Sequence, residues 1–465
     1  MFNIKKLLVG TIAACTAFTA VAGGCGGNSG GGGGGGGSKT NKFTLQIFTG
    51  GYSNKMWEYV LKEFEEAHPE WEVIPNMSNT VNDQFANKWK NNDAPDFVFL
   101  DGALDREEWL KADLLYDFTD WLKTATVAGE DVKIADKVNM NFAFKYTSKN
   151  KTITYGMPLL LSSYGMWYDE ATFEEKGWTV PTNYSELKTF TQENATASQA
   201  AMIYPGGNAA GYLVQGFILP ALAEVGDEFY NRVENALDAE VYKSAEFKKV
   251  MYRFAEYCDM QNVFKKDNDG IPEAISLDHI PSQNRWLNKE AIFIPNGLWL
   301  RSEMEKDKDS DGIPEGFKMR YTSSPLVESQ QIIVASAVTC GVAKNAKNLD
   351  AALEFVRFLY RDDVVQMFSK YSDAPSVANV SMEGVEVSDV LKYTQQVMND
   401  TKTYKFVNHV GSWGNVDSVF NQGVNAIVWG QKTVNGKKLT NRKEIVDAVC
   451  EELSAKAADD ISKRK

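Results

Sequence analysis

The sequence predicts an α/β fold in which a parallel sheet is covered by helices on both faces. Two observations carry the prediction. Short apolar runs of strand length alternate with stretches of helical spacing directly after position 42. The hydrophobic content of 43% and aromatic content of 12% suffice for sizeable cores in a chain of 465 residues.

The elements follow in order. Phe43, Leu45, Ile47 and Phe48 form a short apolar run, consistent with a buried strand. Met56, Trp57, Val60, Leu61 and Phe64 recur at helical spacing, and His68-Pro69 ends that helix. Residues 72–75 read as a second strand, 82–90 as a helix and 97–100 as a third strand, from which Asp101-Gly102 turns away. Ligands of such sheets gather at the carboxyl ends of strands, where Thr49, Gly50 and Asp101 lie. Residues 155–168 are apolar and strand-like, 184–257 are rich in helix, 291–299 are a strand and a turn, and 330–342 are a long crossing strand or a strand pair. Ala352, Leu353, Phe355, Val356 and Leu359 line one helix face; Val416, Val419, Phe420, Ile427 and Val428 line another; a charged helix closes the chain from about Thr440.

The N-terminus is read separately. Lys5 and Lys6 precede an apolar run from Leu7 to Val21, then Ala22, Gly23, Gly24 and Cys25. The run is too short to span a bilayer, and the layout is that of a secretory signal, residues 1–24, ending at a cysteine that becomes a lipid-bearing terminus. An ordinary cleaved signal is the alternative. Residues 25–42, with Gly30 to Gly37, form a soft tether with a reach of about 20–25 Å. The expected location is the outer face of the cell membrane, or the periplasm in a two-membrane organism.

Composition excludes several functions. A net charge of −13 argues against nucleic acid and against a polybasic membrane surface. His68, His279 and His409 are the only histidines, and none has a partner at metal-ligand spacing, so a zinc enzyme or a histidine-based triad has nothing to build on. No phosphate-binding or dinucleotide-binding glycine loop is present. Cys258, Cys340 and Cys450 are far apart and odd in number, and read as small buried apolar side chains, with one disulfide among them as the alternative.

Two segments repeat, KKDNDGIPE at 265–273 and DKDSDGIPE at 307–315. Asp307, Asp309 and Asp311 alternate before Gly312, which opens like a calcium loop, but Lys318 stands where the closing glutamate belongs. A structural Ca²⁺ or a plain acidic Asp-Gly turn satisfies this pattern; no other cofactor is expected.

FTLQIFTG, PDFVFLDG, GMPLLLSSYGMWYDEATFEEKGW, NKEAIFIPNGLWLRSEM, KNLDAALEFVRFLYRDD and VNAIVWGQKTV, in this order and spacing, resemble the bacterial extracellular solute-binding proteins of carbohydrate ABC transporters, family 1, the maltose-binding-protein type. The resemblance covers residues 43 to 455. It implies a type II periplasmic-binding fold: two lobes joined by hinge crossings, a ligand cleft between them, and closure by hinge motion. Crossings are expected near 160–162, 332–335 and 372–375. Lobe 1 is then 43–160 plus 333–372, and lobe 2 is 161–332 plus 373–465.

The implied function is a lipid-anchored receptor, not an enzyme. It would bind a mono- or oligosaccharide and deliver it to a membrane permease and its ATPase, acting as a monomer. The PNG-x-W stretch of relatives leans towards N-acetylglucosamine or oligosaccharide binders. A sugar site needs aromatic platforms together with carboxylates and amides. Trp299 matches the family's stacking tryptophan, and Trp413 lies in a Gly-Ser-Trp-Gly turn. Asp101 falls where relatives supply polar contacts, with a turn or cap carboxylate as the alternative. Ser162, Ser163 and Tyr164 sit at the first crossing. Asn296, Gly297 and Asp373 are further candidates, Thr49 and Gly50 offer backbone groups at the cleft floor, and Gln84 lies on the next helix. Trp167, Tyr168 and Trp286 are expected in the core. The alternatives are a surface glycoside hydrolase using a carboxylate pair such as Asp101 and Asp169, or a binding protein for a peptide or polyamine.

Overall fold

Two long strands organise the molecule. The structure, a computed structural model, describes residues 41–52, 54–148, 151–234, 236, 238–306, 311–399, 405–408 and 416–464. The expected signal, Cys25 and the tether up to residue 40 lie outside them; Asn41 and Lys42, expected in the tether, are described, and Lys42 opens the first strand. Strand β1 (Lys42–Phe48) pairs in parallel with β2 (Glu72–Ser78) and β3 (Phe97–Phe99), through helices α1 (Asn54–Ala67) and α2 (Val81–Lys90). β2 continues beyond the expected 72–75 through Pro75; it is an edge strand paired only with β1, so the missing N–H costs the sheet nothing.

After β4 (Phe144–Ser148), strand β5 runs from Lys151 to Asp169, longer than the expected 155–168. Its first part pairs with β4, and its middle pairs antiparallel with β9 (Ile332–Val342), from Met157↔Cys340 to Tyr164↔Val334. Its last part pairs with β7 (Ala291–Gly297) and β8 (Met319–Thr322). β9 in turn pairs with β3 at its carboxyl end and with β10 (Lys405–Asn408) at its amino end. β6 (Ala200–Met202) closes the order β2-β1-β3-β9-β5-β7-β6. β5 and β9 therefore belong to both ends of the sheet.

The segment 372–375 joins them at the same level: the Leu161 N–H donates to the Pro375 carbonyl at 2.8 Å, and Leu160 bridges Ser376. The three stretches expected as crossings thus lie side by side.

Helices sort with the two ends of the sheet. Phe355, on the helix Leu349–Phe358, meets Phe43 at 5.4 Å, Phe64 at 4.8 Å and Phe97 at 5.0 Å. Phe368, on Asp362–Ser372, meets Trp57 edge-on at 5.0 Å. Late in the chain, Phe420 of Val416–Trp429 packs on Phe247 of Ala245–Asp259 at 5.9 Å. The helix Arg442–Arg464 closes against Val416–Trp429 at Gly423, where any side chain would strike Val449. Trp167, Tyr168 and Trp286 are buried as expected, and Cys258, Cys340 and Cys450 are buried free thiols. Among the described residues no helix is long and apolar enough to cross a membrane.

Candidate functional site

The site forms where β5 passes from β9 to β7. Tyr164 is paired with Val334 on one side and Gly297 on the other. Side chains alternate along a strand, and the structure follows that rule here. Ser162 and Tyr164 are half-buried on one face, while Ser163 is fully buried on the other and hydrogen-bonds the Tyr321 hydroxyl at 3.0 Å.

Trp299 is the centre. β7 ends at Gly297, the chain turns through Leu298, and the Trp299 ring folds back over Gly297. The ring also lies against Gly51, so both glycines are places where a side chain would collide with the indole. Three tyrosines surround it: Tyr164 at 5.1 Å and 90°, Tyr212 at 5.7 Å and 68°, and Tyr52 at 6.1 Å and 69°. Tyr164 and Tyr212 are 5.6 Å apart. Ser302 Oγ donates to the Gly51 carbonyl at 2.8 Å, tying the loop after β1 to the helix Leu300–Lys306.

Tyr212 reaches the cluster through an irregular helix. A π turn over Val214–Ile218 follows it, the kind of bulge often found at functional sites. Gly216 of that turn sits against the Gly165 carbonyl, where a Cβ would approach to 3.0 Å. This close seat on β5 is what holds Tyr212 beside Tyr164.

Asp101 is placed by a buried amide chain. Trp89 Nε1 donates to Gln46 Oε1 (2.8 Å), Gln46 Nε2 donates to Asn82 Oδ1 (2.9 Å), and Asn82 Nδ2 donates to the Asp101 carbonyl (2.9 Å). The Asp101 carboxylate also accepts from the Gly102 N–H at 2.8 Å, with Gly102 at φ 73°, so the predicted Asp-Gly turn is present.

Burial and nearby carboxylates act on the phenols of the cluster. Burial holds the Tyr52 phenol above its ordinary ionisation, the Asp101 charge raises it further, and a hydrogen bond with Ser162 partly offsets both. Burial is also first for Tyr164, followed by its tyrosine neighbours, Asp101 and Asp417. For Tyr212 burial is followed by Glu303, then by a hydrogen bond with Trp299 that lowers it, then by Asp101. The Asp417 carboxyl is itself raised by burial.

The remaining candidates fall as follows. Thr49 and Gly50 are half-buried at the end of β1, and the Thr49 N–H donates to the Ser78 carbonyl at 3.2 Å. Asn296 is fully buried; its Oδ1 accepts from the Gly297 N–H at 2.7 Å and its Nδ2 has no hydrogen-bond partner. Asp373 is engaged by two other side chains. Its carboxylate accepts from Arg301 Nη1 at 2.9 Å and from the Ser388 hydroxyl. Gln84 is exposed and bonded to Thr80. Trp413 lies outside the described residues, as do Asp307 and Asp309. In the first acidic repeat, Asp267 Oδ1 accepts the N–H groups of Asp269 and Ile271, a self-closed turn. Among the described residues no three His, Cys, Asp or Glu side chains are grouped to hold a metal.

Asp169, the second carboxylate of the hydrolase alternative, is committed elsewhere. It caps the helix Glu170–Lys176 through the Ala171 N–H, binds Thr172 Oγ1 at 2.5 Å and the Lys318 N–H at 2.8 Å, and faces Lys289.

Residues 49–366 match the family described as bacterial extracellular solute-binding protein. The chain belongs to that family. It is therefore a solute-binding protein and not an enzyme, with the two-lobed type II fold. It is 26% identical over 337 residues to the diacetylchitobiose binding protein NgcE of Streptomyces coelicolor, covering 71% of this chain and 68% of that one. It is 20% identical over 414 residues to the multiple sugar-binding protein of Streptococcus mutans, covering 87% and 90%. The solved structure of the solute-binding protein RafE in complex with raffinose superposes with a TM-score of 0.61 at 18% identity, covering 89% of this chain and 99% of that one, a likeness of fold.

Sequence reasoning missed Tyr52, Tyr212, Glu303 and Asp417. Tyr52 follows Gly50 by two residues, and Glu303 follows Trp299 by one helical turn, with its N–H on the Trp299 carbonyl at 2.9 Å. Both could have been found by extending the named motifs. Tyr212 sits in a glycine-broken stretch and Asp417 on a helix read only for its apolar stripe, so neither carried a signal.

Proposed function

We propose that the protein captures a carbohydrate between two lobes and hands it, unaltered, to a membrane permease driven by an ATPase. The observation that carries the reading is the half-buried cluster of Tyr164, Tyr212 and Trp299 at the crossing of β5, beside the Asp101 loop. Aromatic rings pack on the apolar C–H faces of sugars, and carboxylates and serine hydroxyls accept or donate to their hydroxyls. The named activities of the sugar-binding relatives support the same class of guest. Lipid attachment at Cys25 would keep the receptor near the outer membrane face, and the working unit is a monomer.

Lobe 1 is residues 43–160 with 333–372, and lobe 2 is 161–332 with 373–465. Binding would favour the closed form, because the guest touches both lobes at once. The contact set is Thr49, Gly50, Asp101, Ser162, Tyr164, Gly297 and Trp299, with Tyr52 and Tyr212 added. A thermal-shift screen over mono- and oligosaccharides, peptides and polyamines tests the class, with small-angle scattering reporting closure. A sugar that raises the melting temperature and compacts the protein is the expected result; a response to peptides alone would end the carbohydrate reading.

A further inference from the structure

The short helix Leu300–Lys306 and the tryptophan before it reach segments far away in the chain. Ser302 Oγ donates to the Gly51 carbonyl at 2.8 Å, across 251 positions. The Trp299 ring lies so close on Gly51 that a Cβ there would stand 2.6 Å from its Cδ1. Only a residue without a side chain lets the backbone come up to the indole in this way. Tyr52, the next residue, meets the same ring edge-on at 6.1 Å. Gly297, Tyr164 and Tyr212 also pack on it. The indole is thus covered by the protein's own groups, and a guest gains the ring by displacing one of them.

The contact with Gly51 is built to open. Ser302 Oγ also lies 3.1 Å from the Trp299 carbonyl. A serine hydroxyl has a single proton to donate, so Gly51 and Trp299 compete for it. When Gly51 withdraws, that proton keeps an acceptor within its own turn of chain. The Gly51 carbonyl, on a half-buried residue, returns to water. Neither group is stranded, so parting costs little more than one neutral hydrogen bond and the ring contact. Arg301 donates to Asp373 at 2.9 Å, at the third crossing, and holds the helix there.

Resting on the two-lobe reading, in which Gly51 belongs to lobe 1 and Trp299 and Ser302 to lobe 2, we propose that Ser302 and Trp299 form an autoinhibitory latch. They hold the empty lobes together through the Gly51 backbone, which occupies the indole until a guest replaces it. The empty protein is then divided between a latched form and an open form that can bind, and the apparent affinity falls with the fraction that is open. The Arg301–Asp373 pair lies within lobe 2, so opening leaves it intact and the helix stays in place.

Small-angle scattering and hydrogen exchange of the purified protein without any guest test the latch. Ser302→Ala removes the shared proton, and Gly51→Ala sets a methyl group against the ring. The parent should scatter as this structure does, and both variants should expand. Peptides covering 49–52 and 299–306 should exchange about 2- to 10-fold faster in Ser302→Ala, the range of one neutral hydrogen bond, while those around Trp89 and Trp109 stay as they were. Unchanged scattering in both variants overturns the latch between lobes, even if exchange quickens locally. Titration with maltotriose and with N-acetylglucosamine disaccharide reads the inhibition: Ser302→Ala should bind the sugar that the parent binds about 2- to 10-fold tighter. Equal or weaker binding assigns the contact to the bound form and overturns the autoinhibition. Failure of every sugar counts against the carbohydrate reading alone, because scattering decides the latch with no guest present.

Discussion

Two aromatic clusters of this molecule use the same residue types to opposite ends. Trp89 and Trp109 stack at 3.8 Å and 12°, both buried, in a small core with Val81, Phe85, Val98 and Leu115. Trp299 and its tyrosines meet edge to face, and three of the four rings keep some exposure. The first cluster has one polar commitment, the Trp89 N–H on Gln46. The second is bordered by carboxylates and sits where two long strands exchange partners. The difference teaches that aromatic content does not mark a site; what marks it is rings left half-wet where distant segments of the chain meet.

The sharpest way to break the comparison is truncation on each side. Trp89→Ala should lower unfolding free energy in urea by about 3–5 kcal/mol, the usual result of emptying a large buried site. Trp299→Ala should lower stability by less than half of that, yet weaken sugar affinity about 10- to 100-fold, as for a central aromatic anchor. If the two variants lose stability equally and Trp299→Ala still binds, the clusters are the same kind of core. Tyr212→Leu is a finer cut, expected to weaken binding about 3- to 10-fold. Tyr212→Phe, which keeps the ring and loses the hydrogen bond with Trp299, should cost about 1 kcal/mol or less.

The smallest effects concern buried titrating groups. Burial raises the Cys258 and Cys340 thiols far above their usual range and pushes Cys450 up to about 12. Alkylation followed by mass spectrometry should leave these three unlabelled in the native protein and label them in denaturant. Burial also raises the Asp417 carboxyl above its ordinary 3.8. Folding therefore favours the protonated form; that contribution is fully present below 3.8 and is lost as pH rises through the higher folded value. Asp417→Asn should then match the parent in acid and be slightly more stable at neutral pH without guest. An unchanged difference across that range would remove Asp417 from the account of the site's charge.

Much of this was legible beforehand. The apolar run of Phe43–Phe48, the Met56–Phe64 stripe and the 97–100 run foretold the first sheet, because the spacing of apolar residues along the chain reports which positions are buried. The 155–168 and 330–342 stretches announced long strands, and PNGLW announced a tryptophan held by a glycine turn. The pairing of Ser162 against Ser336 and of Leu161 with Pro375 could not be read, since residues more than a hundred apart meet only in three dimensions.

The sequence alone settled the class of the chain, its early elements and Trp299 as a candidate, since these depend on local pattern and composition; that Cys258, Cys340 and Cys450 are all free came from the structure. The tertiary structure alone decided that Ser163 faces the core while Ser162 and Tyr164 face the rings, that Asp373 is held by Arg301 and Ser388, and that a π turn seated on Gly165 brings Tyr212 to Trp299. A site of this kind is a meeting of distant segments, and its geometry is set by how strands register and how closely backbones approach.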